Sequence, residues 1–346
     1  MRTRVVLVDD SASALLALRQ LLERSGCFDI VGEARTSAQA IELVEATRPD
    51  LVTMDVYLDG QDGVEATRSI LERIPARVVL VTGLDAARAG LSIRALTVGA
   101  LDVLRKPDAT SEHEQRRFLA ALTALAKVGL VGTTRTPVPS SAPRPPRATP
   151  ALPTALLALG ASTGGPATLA RLLGALPRPL NAPIVVVQHM EAAHTRSFAE
   201  WLGATGHRVV LVEQPTRPEA GVVYVAAGHA HLELDTTGML VPKFGTPRNF
   251  QLPSVDELFE SLARVCPRQT FAALLTGMGE DGAKGLRQLA NAGATTVVQS
   301  LTSCVVPGMP AAGLKHGGAC LELGPEEIAV AATRFIAQAT LEPRSA

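Results

Sequence analysis

A serine, a histidine and an aspartate each follow an apolar run in the C-terminal half of the chain. Ser162 follows ALLALGA, His189 follows IVVVQ, and Asp281 follows LLTGMGE. A serine hydroxyl is a weak nucleophile that needs a base, and an imidazole base needs an acid to fix its tautomer. If the apolar runs are parallel strands, their carboxyl ends share one edge of a sheet, where these side chains meet. The pattern therefore predicts nucleophilic chemistry at Ser162.

Each of these residues also has a structural interpretation. Ser162 can cap the helix that begins near Thr163, and Asp281 can be an N-cap as well. His189 can be a polar residue at a strand end. The order Ser…His…Asp differs from the Ser…Asp/Glu…His of α/β-hydrolases, so the G-x-S-x-G match at residues 160–164 does not indicate that fold.

Backbone N–H groups in two glycine-rich turns are candidates for an oxyanion site. One belongs to Thr163, directly after Ser162, and the other to Met278, between two glycines. The turn GASTGG lacks the Gly-Lys-Ser/Thr and G-x-G-x-x-G spacings of phosphate-binding loops. His229 and His231 lie two residues apart, but no third metal ligand stands out, so a structural role is favoured.

Five polar residues in the N-terminal half also follow apolar runs. Asp9 and Asp10 follow the first run, Asp55 the third, Thr82 ends the fourth, and Lys106 follows the fifth. Three carboxylates at one sheet edge repel one another unless a dication such as Mg²⁺ lies between them. The lysine can pair with an added phosphoryl group, and the threonine can hydrogen-bond one of its oxygens. Acids at solvated strand ends are common singly, but the placement of all five favours a site.

Alternating strand and helix patterns are expected to position both sets of residues. Up to residue 128, five strand candidates alternate with helical patterns, which is typical of a (βα)5 doubly wound parallel sheet. The strand candidates are Val5–Val8, Ile30–Gly32, Leu51–Met54, Val78–Val81 and Val103–Leu104. A helical pattern at Arg88–Val98 lies between the last two. After residue 154 the alternation resumes, with His231–Asp235 as a candidate hairpin strand and Ala319–Leu323 as the last strand. We therefore predict an α/β protein of two doubly wound domains, the second with a mostly parallel sheet.

A proline-rich segment separates the two halves. Residues 132–153 contain three arginines and no acid among many Pro, Ser, Thr and Ala residues, which is typical of a semi-extended linker. With 346 residues, the chain is also too long for one ordinary core. We predict domains over residues 1–128 and 154–346, joined by a linker over 129–153.

Composition limits the kinds of binding partner and the cellular compartment that the sequence favours. The chain has 33 basic and 33 acidic residues, so its charge does not favour binding to nucleic acid or to a membrane surface. No apolar run approaches the roughly 20 residues of a membrane helix, which predicts no membrane insertion. The four cysteines lack a CxxC or metal-ligand spacing, and the N-terminus leads directly into a strand rather than a signal peptide. A cytoplasmic protein with reduced thiols is expected.

Residues 1–127 resemble the receiver domain of bacterial response regulators. The resemblance implies that a histidine kinase donates a phosphoryl group to Asp55 and that Asp9, Asp10 and Asp55 hold Mg²⁺. It also implies switch roles for Thr82 and Lys106.

Two features depart from the usual receiver pattern. No Met-Pro follows the acceptor aspartate in VYLDGQDG, residues 56–63, and Val103 stands where receivers usually carry Tyr or Phe. The phosphorylation site is therefore expected to be intact, without the usual aromatic switch.

The motifs LGASTGGP, VVQHM, TRSFAEWL, PSVDELFESLA and LLTGMGEDGAKGL resemble the chemotaxis protein-glutamate methylesterases of the CheB family. The resemblance implies Ser162 as nucleophile, His189 as general base and Asp281 as the acid that orients it, with no cofactor for the ester chemistry. The implied substrate is a glutamate γ-methyl ester on the cytoplasmic helices of chemoreceptors, with methanol released and glutamine deamidation as a second activity. The family also implies that the unphosphorylated receiver covers the active site.

Two segments of the C-terminal half differ from this family's pattern. Glu191-Ala192-Ala193 replaces a common proline after His189-Met190, and Gln299-Ser300-Leu301 replaces Gln-Asp-Glu. Both segments are expected to border the site and to affect substrate preference. Three alternatives remain: a regulator whose C-terminal half only binds a partner, a transcriptional regulator, and an esterase of a sensory array that does not control motility.

Overall fold

The computed structural model describes residues 2–58, 61–83, 95–96, 98–128, 152–319 and 321–341. Contacts divide the chain into two compact units, Met1–Arg135 and Thr136–Ala346. The predicted linker falls almost entirely on residues 129–151, outside the described residues. Within the described ranges, no helix is both long enough and apolar enough to cross a membrane.

The N-terminal unit is a parallel sheet with helices. Its described elements are β1 (Thr3–Val8), α1 (Ala12–Ser25), β2 (Phe28–Ala34), α2 (Ser37–Thr47), β3 (Leu51–Met54), β4 (Tyr57–Leu58), β5 (Gln61–Asp62), α3 (Gly63–Arg73), β6 (Val78–Thr82), β7 (Asp102–Arg105) and α4 (Glu112–Leu125). Five parallel strands form the sheet in the order β2-β1-β3-β6-β7, and β4 pairs with β5 in an antiparallel hairpin. This doubly wound order confirms the predicted fold class. The helix predicted at Arg88–Val98 falls largely outside the described residues.

Local sequence signals place the first acids at the sheet edge. The side chain of Ser11 accepts the N–H of Ala14 and so begins α1 directly after Asp9 and Asp10. Gly26, with a φ of 67°, ends the same helix in the left-handed conformation that glycine adopts without strain. The chain therefore reverses immediately after β1 and holds both acids at its carboxyl end.

The C-terminal unit has a larger parallel sheet. Its described elements are β8 (Leu156–Ala161), α5 (Gly165–Ala175), β9 (Ile184–Gln188), α6 (Ala192–Leu202), β10 (Arg208–Val212), β11 (Val222–Ala226), β12 (His231–Leu234), β13 (Leu240–Lys243), α7 (Val255–Val265), β14 (Thr270–Leu274), α8 (Ala283–Asn291), β15 (Thr295–Gln299), α9 (Gly308–Lys315), β16 (Glu322–Leu323) and α10 (Pro325–Leu341). Seven parallel strands follow the order β10-β11-β9-β8-β14-β15-β16. The predicted hairpin is found as β12–β13, whereas the predicted last strand is shorter and covers only Glu322–Leu323.

The three central strands of this sheet are adjacent and in register, so the segments that follow them begin side by side. β8 lies between β9 and β14, and every residue of these three strands is buried, as expected for a parallel sheet covered on both faces. Gly160 on β8 is paired with Val187 on one side and Leu274 on the other. The segments that follow the three strands therefore leave the sheet side by side, where α/β proteins form their ligand sites.

Candidate active site

Ser162 lies in a tight turn between β8 and α5 and is 4% exposed. Its N–H donates to the carbonyl of Thr276 at 3.0 Å, and its carbonyl accepts the N–H of Gly165 at 2.7 Å. The N-cap of α5 is Gly164, which has a φ of 75° and no side-chain capping bond. Ser162 therefore does not cap this helix, and the structural interpretation of the serine is wrong on this point.

The loop after β14 approaches the serine closely. A Cβ atom on Gly277 would lie 2.7 Å from Cβ of Ser162 and would overlap Sδ of Met309. Only glycine leaves room for this approach. The same loop continues to Asp281, so the glycine sets how closely that aspartate's loop packs against the serine turn.

His189 and Asp281 form a buried pair. Nε2 of His189 lies 2.7 Å from Oδ2 of Asp281, and both side chains are 3% exposed. Nδ1 of His189 is buried and has no hydrogen-bond partner in the described structure. An ionised carboxylate can only accept, so in the neutral imidazole the proton lies on Nε2 and a lone pair is left on Nδ1.

The structure joins His189 to the serine turn through the backbone, but not through a bond between the two side chains. The N–H of His189 donates to the carbonyl of Ala161 at 2.9 Å. Among the described residues, no hydrogen bond connects Oγ of Ser162 with the imidazole. Two members of the predicted triad, His189 and Asp281, are therefore hydrogen-bonded to each other. Ser162 follows Ala161, the residue whose carbonyl binds the N–H of His189.

Asp281 binds the N-terminus of α7 rather than the helix that follows it. Its carboxylate accepts the hydroxyl of Ser254 at 2.7 Å and the N–H groups of Val255 and Asp256 at 2.7 and 3.3 Å. Burial acts to raise the pKa of Asp281, but His189, Ser254 and Val255 together lower it below its ordinary value. The aspartate is thus an N-cap supplied from another segment, and it is held as an anion that faces the imidazole.

A second buried aspartate reciprocates this cap. Asp256 in the first turn of α7 is 0% exposed, and its Oδ1 accepts the N–H of Gly285 in α8 at 2.7 Å. Asp256 of α7 therefore binds the first turn of α8, and Asp281, two residues before α8, binds the first turn of α7. Burial, opposed by the Gly285 bond and reinforced by the charge of Asp281, raises the pKa of Asp256 to about 6.

His231 supports the other side of this cap. Its Nδ1 accepts the N–H of Ser254 at 3.0 Å, and its Nε2 donates to the carbonyl of Thr246 at 3.1 Å. Both ring nitrogens are engaged, and His229 instead stacks on Phe244 with ring centroids 5.7 Å apart. The structural role favoured from the sequence fits this geometry better than a metal site.

Two buried glutamines hold the serine turn: Gln188, which the sequence analysis did not single out, and Gln299, whose segment was expected to border the site. Gln188 donates to the carbonyls of Ser162 and His189 at 2.9 and 3.0 Å. Gln299 accepts the N–H of Thr276, whose carbonyl binds the serine N–H. Gln188 ends the strand IVVVQ and Gln299 ends the strand TTVVQ, and the position of a glutamine at the carboxyl end of a strand is the signal that could have identified both.

The predicted oxyanion donors are available. The N–H groups of Thr163 and Met278 make no hydrogen bond within the described ranges, whereas that of neighbouring Gly277 donates to the carbonyl of Val306 at 2.9 Å. Both residues are half-buried. They lie in the two turns that pack against each other at Ser162, which keeps both as candidates for the oxyanion site.

The N-terminal unit gathers its predicted acids at the same kind of edge. Carboxylate oxygens of Asp9, Asp10 and Asp55 lie within 4.8 Å of one another, and Nζ of Lys106 is 2.6 Å from Asp9 and 3.0 Å from Asp55. This set of hard oxygen donors fits Mg²⁺. Burial raises the pKa of Asp55, which Lys106 opposes and Asp9 reinforces.

The predicted switch residues flank this cluster. Thr82 is 1% exposed at the end of β6, and its carbonyl accepts the N–H of Lys106 at 2.8 Å. Val103 packs against a buried cluster that contains Val56 and Leu80. An aliphatic side chain thus fills the position where receivers usually carry an aromatic ring.

Known protein families and relatives match nearly the whole chain. Residues 157–331 match the family model for the CheB methylesterase, and residues 5–116 match the response regulator receiver domain. A protein-glutamate methylesterase/protein-glutamine glutaminase of Geobacter metallireducens is 37% identical, over 95% of this chain and 98% of the relative. A relative with the same name from Anaeromyxobacter dehalogenans is 38% identical, over 94% and 97%. The crystal structure of the Thermotoga maritima CheB methylesterase catalytic domain is similar with a TM-score of 0.51 and 34% identity, over 52% of this chain and 98% of that one. The chain therefore belongs to the CheB methylesterase family and carries a response regulator receiver domain before the catalytic domain.

Proposed function

We propose that this protein is a phosphorylation-regulated esterase that hydrolyses glutamate γ-methyl esters on the cytoplasmic helices of chemoreceptors. The observation that carries the proposal is the 2.7 Å bond between His189 and Asp281, which leaves Nδ1 of the imidazole without a partner next to the turn of Ser162. The names of the relatives, protein-glutamate methylesterase/protein-glutamine glutaminase, support the same reaction class.

Acylation begins with proton transfer from Ser162 to Nδ1 of His189. The serine Oγ attacks the γ-carbonyl carbon, and the N–H groups of Thr163 and Met278 donate to the oxygen that becomes negative. The intermediate then breaks its bond to the methoxy oxygen, which takes the proton from the imidazole and leaves as methanol. Hydrogen bonds of this kind are often long in ligand-free enzymes, so substrate binding is expected to close the gap between serine and imidazole.

Deacylation uses the same groups with water in place of the serine. His189 takes a proton from water, the hydroxide attacks the acyl carbon, and Ser162 leaves with the proton returned by the imidazole. The product is the free glutamate carboxylate. A glutamine side chain follows the same course with ammonia as the leaving group, which accounts for a deamidase activity at one site.

The acidic cluster of the N-terminal unit provides the regulation. We propose that a histidine kinase is the phosphodonor for Asp55, that Asp9, Asp10 and Asp55 hold Mg²⁺, and that Lys106 then pairs with the phosphoryl oxygens. An Mg²⁺ ion held by these carboxylates would supply positive charge that offsets the negative charge of the phosphoryl group. The 3.0 Å contact of Lys106 with Asp55 supports this role, because the ammonium is within reach of the acceptor carboxylate.

The esterase assignment is tested by methanol release from methylated chemoreceptor in membranes. The Ser162→Ala variant is expected to lose this activity, while Ser197→Ala, at a half-buried serine on α6, retains it. A wild-type rate in Ser162→Ala refutes the nucleophile. A serine-reactive phosphonate that fails to label Ser162 favours the alternative in which the C-terminal unit only binds a partner.

A further inference from the structure

Two exposed phenylalanines lie between β13 and α7. Phe244 is 70% exposed and Phe250 75%, the highest values among the exposed large hydrophobic residues of the described chain. The whole sequence contains only eight phenylalanines, and 3% of its residues are aromatic. Exposed aromatic side chains on one loop of such a sequence point to a surface that is covered by a partner.

His229 extends this aromatic surface toward the active site. Its ring is exposed and stacks on Phe244 at an interplanar angle of 27°. The residue before it, Gly228, packs so closely on the backbone of Ala192 that a Cβ atom there would overlap it. Ala192 begins α6, three residues after His189. His229 therefore lies in the segment that follows β11, and this segment is packed against the one that follows β9.

The backbone holds Phe250 in an unfavourable conformation. Arg248 and Gln251 exchange backbone hydrogen bonds of 3.0 and 2.8 Å, and the two residues between them, Asn249 and Phe250, have φ angles of 50° and 63°. Asparagine tolerates the left-handed region, but a bulky phenylalanine there is strained. Strain that presents a ring to solvent instead of burying it is typical of a functional position.

Hydrogen bonds tie the same loop to the groups around Asp281. The side chain of Asn249 donates to Asp256 at 3.3 Å. The carbonyl of Thr246 is bound by His231, which also binds the N–H of Ser254. Both contacts lead to the first turn of α7, which Asp281 caps. The aromatic loop is therefore continuous with the proposed site.

Ion pairs neutralise the cations of this loop. Lys243 lies 2.8 Å from Glu233 and 3.1 Å from Glu257. Arg248 pairs with Glu257 at 3.0 Å and with Glu260 at 2.5 Å. The aromatic side chains thus stand on a surface whose charges are already matched, which favours an apolar partner over an acidic one.

We propose that His229, Phe244 and Phe250 form a docking surface for apolar side chains that flank the esterified glutamate on the protein substrate. This inference rests on the proposed function, because it assigns the surface to that same substrate. A methyl ester alone is too small to cover both a buried triad and an exposed loop. The surface therefore supplies binding energy remote from the reacting atoms, and it distinguishes a protein substrate from a small ester.

The test compares a large and a small substrate in the full chain. Changing both Phe244 and Phe250 to serine is expected to raise KM for methylated chemoreceptor at least about tenfold, while hydrolysis of p-nitrophenyl acetate is unchanged. Val330→Ser removes a 51% exposed apolar side chain from α10 and serves as the control, with both substrates unaffected. Phe250→Gly removes the ring and relieves the strain, so it is expected to raise KM without lowering the thermal midpoint.

Other results would contradict the proposed docking surface. An unchanged receptor KM in the double variant does so, as does an equal loss with the small ester. A change in oligomeric mass identifies a second copy as the occupant, and a rise in small-ester rate without phosphodonor identifies the chain's own receiver. Failure of the proposed function is distinct, because the wild-type protein itself would then release no methanol from the receptor.

Discussion

The two domains treat buried carboxylates in opposite ways. Asp281 in the catalytic domain accepts hydrogen bonds from His189, Ser254 and two backbone N–H groups, and its pKa is lowered although burial acts against this. Asp55 in the receiver domain accepts the N–H of Val56 at 2.7 Å and shares the ammonium of Lys106 with Asp9, and burial raises its pKa. Asp281 is thus saturated with hydrogen-bond donors, whereas Asp55 has fewer and is the donor-poor carboxylate.

The difference corresponds to what each carboxylate is proposed to do. A carboxylate that orients an imidazole has to remain an anion in one position, and several fixed donors achieve this. A carboxylate that accepts a phosphoryl group has to offer an oxygen for a new bond. Its remaining charge is then balanced by groups that can be exchanged, here Lys106 and a dication. Substitutions at these carboxylates and at their neighbours break or sharpen this contrast.

The largest effect is expected from Asp281→Asn. An amide cannot accept the Nε2–H in the same way, so the imidazole would adopt the wrong tautomer and kcat would fall by about 10⁴-fold, as the same change does in another Ser–His–Asp triad. Methanol release measures this. Asp235→Asn is the matched control, because Asp235 also accepts backbone N–H groups but lies in the β12–β13 turn. A loss of less than tenfold in Asp281→Asn would contradict the role given to the saturated carboxylate.

Asp55→Asn should abolish regulation and leave basal catalysis. Without the acceptor oxygen, a small-molecule phosphodonor with Mg²⁺ is expected to produce no rise in esterase rate. The control is Asp50→Asn. Asp50 lies directly before β3, and its carboxylate accepts the backbone N–H of Arg4, so this variant should respond like the wild type. If Asp55→Asn still responds, the donor-poor carboxylate is not the acceptor.

Ser254→Ala removes one donor from the saturated carboxylate. A hydrogen bond to a charged group contributes about 1.5–3 kcal/mol, so kcat/KM should fall about 10- to 100-fold. Ser254→Thr keeps a hydroxyl and is expected to restore most of the activity. Equal activity in the alanine and threonine variants would mean that this donor does not help to hold Asp281.

Asp256→Asn should produce the smallest change, visible in stability against pH. The pKa of Asp256 is raised to about 6 from 3.8, so the folded state binds more protons than the unfolded state between these values. The stability of the wild type should therefore fall, relative to Asp256→Asn, by up to about 1.4 kcal/mol per pH unit as pH rises from about 4 to 6, and the difference should level off above that. Denaturant unfolding at several pH values measures the difference. Parallel pH curves for the two proteins would contradict a raised pKa.

The sequence predicted the elements whose signals are local. Apolar runs ending in Ser162, His189 or the receiver acids were sufficient to place these residues at sheet edges, since all parallel strands of a sheet share a carboxyl edge. It did not predict the reciprocal capping of α7 and α8 by Asp281 and Asp256. That contact depends on two helix N-termini packing together, and no spacing within either segment encodes it.

The most direct test of the account is the tautomer of His189. We expect nitrogen-15 NMR of the full chain to show the neutral imidazole with its proton on Nε2 and none on Nδ1, with His189→Gln used to assign the signal among the seven histidines. Asp281→Asn should disturb this signal. A proton on Nδ1 in the wild-type protein would leave Ser162 without its base and would contradict the proposed mechanism.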